Sequence, residues 1–143
     1  MIKKLSKKVL KNNSINIIDI GAAGGPHKRW EDVCDNINFY FFEPEKKAYE
    51  ELIKYKESND KVFNIALDSK DSLKPFFVTK KRECSSFFMP NTKYLKRFSN
   101  AERFSVEDQM NLKVKSLDDY KLEGIDFIKL DTQGSELSIL KGS

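Results

Sequence analysis

A short apolar run that ends in a glycine-rich turn constrains this chain more than any other segment. Residues 15–20 read Ile-Asn-Ile-Ile-Asp-Ile, and the next five, Gly-Ala-Ala-Gly-Gly, lead to Pro26. Such a β-branched run is typical of a strand that is covered on both faces in a parallel sheet. Because proline suits the first position of a helix, we expect a helix that ends near Asn36 and carries Trp30 and Val33 toward the sheet.

The alternation of strand and helix continues along the chain. Strand patterns recur at residues 38–42, 61–66 and 125–130. Pro44 begins a helical stretch in which Ala48, Leu52 and Tyr55 recur at helical spacing, and a last helix begins at Ser135. This alternation predicts an α/β, Rossmann-like fold with a mostly parallel sheet and flanking helices.

The segment before the fourth strand is less regular. Phe76–Thr79 and Ser86–Met89 have extended patterns around a polar turn, which predicts a hairpin-like insertion before strand 4. Leu112–Val114 alternates as an edge strand does. Ser116–Asp119 carries a capping-box signature, which predicts a short helix that Gly124 ends.

Charge and cysteine usage exclude several classes of protein. The net charge is +4, but five basic residues and no acidic ones lie in the first eleven positions, so the rest of the chain is near neutral. That basic segment predicts an amphipathic helix with a solvated face, and no zinc-finger or recognition-helix pattern indicates a nucleic-acid partner. Cys34 and Cys84 lack metal-ligand spacing, so we expect reduced thiols and no metal site.

No apolar stretch approaches the roughly 18 residues that span a bilayer, and the first residues lack the apolar core of a signal peptide. We therefore expect a cytoplasmic protein without stable membrane insertion. Its 143 residues match the length of one ordinary domain.

The glycine-rich turn is the first candidate for a ligand site. Glycine allows close approach of the backbone, and a helix that follows offers unpaired N–H groups to a polar or anionic group. A nucleotide-like ligand is the functional interpretation, and tight packing between strand and helix is the structural alternative. Asp19 stands two positions before the first glycine, Gly21.

Glu43 follows the second strand and is the second candidate. An acidic residue at this point of a Rossmann-like fold accepts hydrogen bonds from both ribose hydroxyls. The alternative is an acid that favours the start of the next helix. The turn reads G-A-A-G-G in place of G-x-G-x-x-G, which disfavours a dinucleotide bound through its pyrophosphate.

Five segments together resemble the FkbM-type family of S-adenosylmethionine (SAM) dependent methyltransferases. They are DIGAAGG at 19–25, FEPE at 42–45, NIALD at 64–68, SLDDY at 116–120 and KLDTQGSELSILKG at 129–142. The resemblance covers most of the chain. It implies a SAM site in which Gly21, Ala22 and Gly24 serve the methionine part, Glu43 the ribose, and Ala66 and Leu67 the adenine, with Asp19 as a further cofactor-binding residue. The strand order of a methyltransferase, with right-handed crossovers, implies the order 3-2-1-4.

The resemblance also implies a reaction, the O-methylation of a hydroxyl on a saccharide or small metabolite. Asp131 and Glu136 are the acids of the last motif, and ligands bind at the carboxyl ends of strands in open α/β sheets. A carboxylate there can orient the acceptor and remove its proton. The alternatives are a turn residue that caps the next helix for Asp131 and a first-turn helix acid for Glu136.

Ser85 and Ser86, in the insertion, match a serine pair that recurs in the resembling proteins. A loop over the cleft would bring this pair to the acceptor, whereas the structural alternative is a plain turn. Gln133 stands where the family often has glutamate, so we assign it no acid-base role. His27 lies beside two basic residues, which favours an exposed side chain over a general base.

The predicted organisation is a single methyltransferase domain over residues 1–143 that looks truncated at its C-terminus. Its parts are a basic helix at 1–13, a cofactor-binding half at 14–70, the insertion at 71–115, and strand 4 with its helix at 116–143. An unpaired outer edge of strand 4 predicts self-association. Two other functions stay open, an NAD-dependent oxidoreductase and a non-catalytic nucleotide-binding fragment.

Overall fold

The computed structural model describes Leu10, residues 13–30 and residues 34–143. The basic helix predicted at 1–13 falls almost wholly on residues outside this part of the chain, as does Val33. The described residues divide into two compact units. Unit 1 comprises the residues up to Asn64 together with Leu122–Leu130, and unit 2 comprises Ile65–Lys121 and Asp131–Ser143.

Seven strands and three α-helices lie in the described part of the chain. The strands are β1 (Ile15–Ile20), β2 (Ile37–Phe42), β3 (Lys61–Phe63), β4 (Ala66–Leu67), β5 (Ser72–Thr79), β6 (Val106–Lys115) and β7 (Phe127–Leu130). The helices are α1 (Lys46–Tyr55), α2 (Thr92–Leu95) and α3 (Glu136–Leu140). Short 3-10 turns lie at Lys28–Trp30, Cys34–Asn36, Arg82–Cys84, Ala101–Phe104 and Asp118–Tyr120.

Unit 1 contains a four-stranded parallel sheet in the order β3-β2-β1-β7. This is the predicted order 3-2-1-4, because β7 is the fourth predicted strand. Ile18 of β1 aligns with Tyr40 on one side and Ile128 on the other. Ile17 and Ile18 point to opposite faces, yet both are buried, which confirms a strand covered on both faces.

The connection from β1 to β2 differs from the predicted helix. Two 3-10 turns, Lys28–Trp30 and Cys34–Asn36, stand there in the described residues. The segment around Trp30 is highly charged and lacks the apolar stripe that holds a surface helix on its sheet. Trp30 itself is half-buried against the sheet core and meets Phe127 edge-on at 5.8 Å, as predicted.

Helix α1 begins two residues later than Pro44. Glu45 is its N-cap, and the carboxylate of Glu45 accepts a hydrogen bond from the Ala48 N–H at 2.9 Å. Ala48 and Leu52 are buried, as their spacing predicts. Tyr55 is 80% exposed, because it ends the helix and its side chain projects into solvent.

The predicted third strand, 61–66, is split between two sheets. Lys61–Phe63 pairs with β2 in unit 1, whereas Ala66 pairs with β6 in unit 2. Asn64 marks the break, and its side-chain amide donates to the carbonyls of Glu43 at 2.9 Å and Pro44 at 3.1 Å. These bonds replace ladder pairing and turn the chain out of the first sheet.

Unit 2 contains a three-stranded sheet in the order β4-β6-β5. β6 pairs antiparallel with β5 and parallel with β4, so it is the central strand and the edge position predicted from Leu112–Val114 is wrong. Ser86–Met89 is no strand, and it contributes one isolated bridge, from Ser86 to Phe77. The hairpin partner of β5 is the later β6, whose ten residues offer a longer ladder.

The prediction that Ser116 caps a short helix is also wrong. Its hydroxyl donates to the Gly142 carbonyl at 2.6 Å, so it does not cap the following turn. The 3-10 turn Asp118–Tyr120 is followed by its C-cap Lys121, which adopts a left-handed φ of 47°, so the element ends before Gly124. α3 packs its buried Ile139 into unit 2. None of the helices in the described part of the chain is long and apolar enough to cross a membrane.

Candidate functional site

The glycine-rich turn leaves β1 at the carboxyl edge of the parallel sheet in unit 1. Gly21, Gly24 and Gly25 have φ values of 76°, 88° and 79°, which side chains rarely adopt. Among the described residues, and apart from the adjacent residues of the chain, no heavy atom lies within 4 Å of the place where a Cβ would stand on Gly24 or Gly25. Glycine is therefore required there by backbone conformation, and the surface above the turn is open to a ligand.

The turn is joined to the end of the neighbouring strand. The N–H of Gly21 donates to the carbonyl of Phe42 at 3.0 Å. Glu43, the next residue, has a buried side chain whose carboxylate accepts hydrogen bonds from the backbone N–H groups of Glu45, at 2.8 Å, and Ala23. The structure thus brings the predicted Gly21 and Glu43 together at one edge of the sheet.

Burial raises the pKa of Glu43 to about 7, and it outweighs the backbone hydrogen bonds from Glu45 and Ala23, which lower the pKa. The charge of Glu45 raises the pKa further, and the ammonium of Lys129 lowers it. A carboxyl group that folding places where its charge is disfavoured is a common mark of a functional site.

Asp19 lies beneath the turn and is also buried. Its Oδ1 lies 2.8 Å from the Nζ of Lys129, the residue directly opposite on β7. The same ammonium donates to the carbonyl of Gly21 at 3.1 Å. Lys129 was not predicted as a site residue. It is the only charged residue of the strand segment Phe-Ile-Lys-Leu, and a lysine within an apolar strand indicates that its charge is paired.

The turn that follows β7 belongs to unit 2. Gln133 and Gly134 have φ values of 58° and 115°. The carboxylate of Glu136 accepts hydrogen bonds from the Thr132 N–H at 2.8 Å, the Thr132 hydroxyl at 3.1 Å and the Gly134 N–H at 2.9 Å. Burial acts to raise the pKa of Glu136, but these hydrogen bonds outweigh it and lower the pKa.

Asp131 contrasts with Glu136. Its side chain is exposed, and the amide of Gln133 donates to its Oδ1 at a long 3.4 Å. The N-cap of α3 is Ser135, so Asp131 does not occupy the helix-capping position that was its structural alternative. The carboxylate of Asp131 is therefore open to solvent.

The comparison with family models adds the deciding observation. The model described as "Methyltransferase FkbM domain" matches residues 19–143, which is most of the chain. The chain belongs to the FkbM methyltransferase family. Comparison with curated proteins gives no significant match, and comparison with solved structures gives none either.

Methyltransferases in general use SAM as methyl donor, and the residues of this FkbM domain fit such a ligand. The open turn at Gly24 and Gly25 leaves room for a polar group against the backbone. The buried carboxylate of Glu43 has two backbone donors, which leaves acceptor capacity for two hydroxyls.

Both serines of the predicted acceptor site make hydrogen bonds within unit 2. The Ser85 hydroxyl accepts from the Thr79 N–H at 3.1 Å. The Ser86 hydroxyl donates to the Gln133 carbonyl at 2.9 Å and accepts from the Phe88 N–H at 3.1 Å. In the FkbM domain Ser86 thus ties the insertion to the turn after β7, and acceptor binding by this pair stays a prediction.

Ala66 and Leu67 form β4, and both side chains are buried in unit 2. Their predicted place beside the adenine is untested. Asp68, which follows them, was not predicted and is buried with its carboxylate against Lys74 and Ser138. Burial acts to raise the pKa of Asp68, but the hydrogen bonds from Lys74 and Ser138 outweigh it and lower the pKa.

Other candidates are placed by their surroundings. His27 is exposed, as predicted. Cys84 is a buried free thiol, whose sulfur accepts from the Arg103 Nε at 3.3 Å, and Cys34 has no described side chain. Among the residues that the structure describes, no group of three or more His, Cys, Asp or Glu side chains is placed to hold a metal ion.

Proposed function

We propose that this FkbM domain binds SAM in unit 1 and transfers its methyl group to a hydroxyl of a saccharide or small metabolite. One observation carries the proposal: the N–H of Gly21, the first residue of the glycine-rich turn, donates to the carbonyl of Phe42 at 3.0 Å, which brings the turn beside the buried carboxylate of Glu43. The two features that a nucleoside-containing ligand needs, an open backbone turn and a buried acceptor, therefore meet in one place. Bound SAM would supply a methyl group activated by a positively charged sulfur.

In this proposal the turn and the acid have separate tasks. The backbone of Gly21, Ala22 and Gly24 contacts the amino-acid part of SAM. Gly21 and Gly24 have positive φ values that residues with a Cβ rarely adopt. Glu43 accepts hydrogen bonds from the ribose hydroxyls. Asp19 contributes from below, through its ion pair with Lys129, and its carboxylate is buried away from the ligand surface.

The proposed acceptor chemistry rests on Asp131. Removal of the hydroxyl proton as the methyl group is transferred requires a nearby base, and positioned carboxylates serve in that role. Asp131 is exposed, whereas the carboxylate of Glu136 is occupied by three donors within its own turn. We therefore assign proton removal or acceptor orientation to Asp131, and to Glu136 the task of holding the turn.

Calorimetric titration of the full chain with S-adenosylhomocysteine, the demethylated product, tests the site. Glu43→Ala should weaken binding by about 2–3 kcal/mol, because it removes hydrogen bonds to a charged acceptor. Glu51→Ala, at an exposed position of α1, is the matched control and should bind as the wild type does. Wild-type affinity in the Glu43 variant would refute the ribose assignment, and no binding by the wild type would refute the SAM site.

Two further expectations accompany the proposal, a cytoplasmic location and self-association through the outer edge of β7. β7 is an end strand of the four-stranded sheet in the described residues, and such edges pair readily with a second copy. Light scattering tests the second expectation. A concentration-dependent rise in mass supports it, and a monomer at all concentrations contradicts it.

A further inference from the structure

Lys129 is the only charged residue of β7, and its side chain reaches the glycine-rich turn that follows β1. Its ammonium contacts two groups, the Asp19 carboxylate at 2.8 Å and the Gly21 carbonyl at 3.1 Å. The side chain of Asp19 is 5% exposed and that of Lys129 is 32% exposed. The ammonium is therefore placed between a buried charge and the first peptide of the glycine-rich turn.

The contacts of Gly21 show what this placement does. Its N–H donates to Phe42 of β2 at 3.0 Å, and its carbonyl accepts from Lys129 of β7 at 3.1 Å. The first residue of the turn is thus held from both neighbouring strands. A glycine with a φ of 76° has wide conformational freedom, so these two bonds fix the direction in which the following backbone leaves β1.

We propose that Lys129 is a positioning residue for the cofactor, which orients the glycine-rich turn so that its backbone receives the amino-acid part of SAM. This inference rests on the proposed function. It adds a residue to the site and assigns it to one half of the ligand.

A purely structural ion pair is the competing explanation. Replacement of a buried ion pair by apolar residues is often neutral or stabilising, so the pair of Asp19 and Lys129 is not required to hold β1 against β7. The bond to the Gly21 carbonyl is different, because an apolar side chain cannot supply it. Lysine at this position therefore serves the turn, and Asp19 fixes the ammonium beneath it.

The two halves of the ligand give a test that separates these explanations. Methylthioadenosine carries the ribose and adenine of SAM but lacks the amino-acid part. In the full chain, Lys129→Met should weaken binding of S-adenosylhomocysteine about tenfold or more, the effect of a lost charged hydrogen bond. When binding is measured well above pH 7, Glu43 is charged with or without Lys129, so the affinity for methylthioadenosine should stay within about twofold of wild type.

Controls make the outcome unambiguous. Lys129→Arg should restore most of the lost affinity, and Lys54→Met, at an exposed position of α1, should change neither affinity. Because Lys129→Met removes the ammonium beside a buried carboxylate, the double variant Asp19→Asn/Lys129→Met removes both charges and should show the same split. Equal loss of both ligands, or no loss of either, overturns the inference. Failure of the wild type to bind either ligand refutes the proposed function instead.

Discussion

Two carboxylates follow strands of the same sheet, and the protein treats them in opposite ways. Glu43, after β2, is buried beside the glycine-rich turn, and burial raises its pKa to about 7. Glu136, at the start of α3 beyond β7, is surrounded by N–H and O–H donors that lower its pKa. The hydrogen bonds of Glu136 are completed within the protein, whereas Glu43 keeps acceptor capacity at a cost in stability.

The different surroundings of Glu43 and Glu136 suit different tasks, ligand binding for Glu43 and structural support for Glu136. Polar groups that serve only folding are normally paired within the protein, as Glu136 is with Thr132 and Gly134. A strained or poorly solvated group persists when another interaction, such as one with a ligand, uses it. This contrast supports the proposal that Gly21 and Glu43 bind the ligand and that the turn after β7 positions Asp131.

The largest expected effect concerns the pH dependence of stability. A carboxyl whose pKa rises on folding from 4.5 to about 7 binds more protons in the folded state, so the free energy of unfolding falls as pH rises through this range. For Glu43 the fall amounts to about 3 kcal/mol, with Glu45 and Lys129 as the charged groups that act on it.

Urea denaturation of the full chain from pH 4 to pH 8 measures this effect. Glu43→Gln should lack the fall, so that the variant gains stability relative to wild type as pH rises. Glu51→Gln, at an exposed position, should keep the wild-type curve. Parallel curves for wild type and Glu43→Gln would show that Glu43 is not the strained group that the comparison requires.

The second effect concerns turnover. Asp131→Asn keeps the shape of an exposed side chain and removes its charge, so we expect the rate of methyl transfer to fall about 100-fold, the scale of a lost general base. The melting temperature and the affinity for S-adenosylhomocysteine should stay near wild type. Near-normal turnover would show that Asp131 neither removes the proton nor orients the acceptor, and would contradict its proposed role.

The third effect concerns the scaffold itself. Glu136→Gln reduces the acceptor capacity for Thr132 and Gly134, and we expect a loss of about 2 kcal/mol in the free energy of unfolding at pH 7. A carboxyl with a lowered pKa stabilises above pH 4.5 and loses that contribution as pH falls through its folded pKa. The deficit of the variant, followed by denaturant melts, should therefore shrink in acid. If the variant is as stable as wild type but slow in turnover, Glu136 has a catalytic role and the structural assignment is wrong.

The smallest effect concerns the serine pair. Ser86→Ala removes the bond to the Gln133 carbonyl and should cost about 1 kcal/mol of stability, whereas Ser99→Ala, at an exposed position, should cost almost nothing. Thermal unfolding of both variants measures the difference. A change in acceptor KM without a change in stability would instead support the predicted role of Ser86 in acceptor binding.

The sequence pattern predicts the parallel sheet well, because its information is local. The run at Ile15–Ile20 and the acid at Glu43 each mark a strand end within a few residues. The strand order came from the family resemblance together with crossover handedness. Features that depend on distant partners were missed. Lys129 and Asp19 are in contact although 110 positions separate them in the sequence. β6 pairs with β5 in the place that was predicted for Ser86–Met89.

Capping signals failed for a related reason. Ser116 has the right residue type at the right spacing, but the Gly142 carbonyl lies 2.6 Å from its hydroxyl and takes the hydrogen bond. Gly142 is required at that place, because a Cβ would stand 2.7 Å from the Asp68 carbonyl oxygen. Tertiary contacts therefore decide which of several possible partners a short polar side chain uses.

We propose that the site formed by Gly21 and Glu43 holds SAM. Calorimetric titration of the full wild-type chain with SAM and with NAD tests this most directly. The turn G-A-A-G-G lacks the spacing of a pyrophosphate-binding loop, so SAM should bind with one-to-one stoichiometry and NAD should give no heat of binding. An excess of NAD should leave the SAM isotherm unchanged. Binding of NAD that displaces SAM, or the absence of SAM binding, would contradict the account.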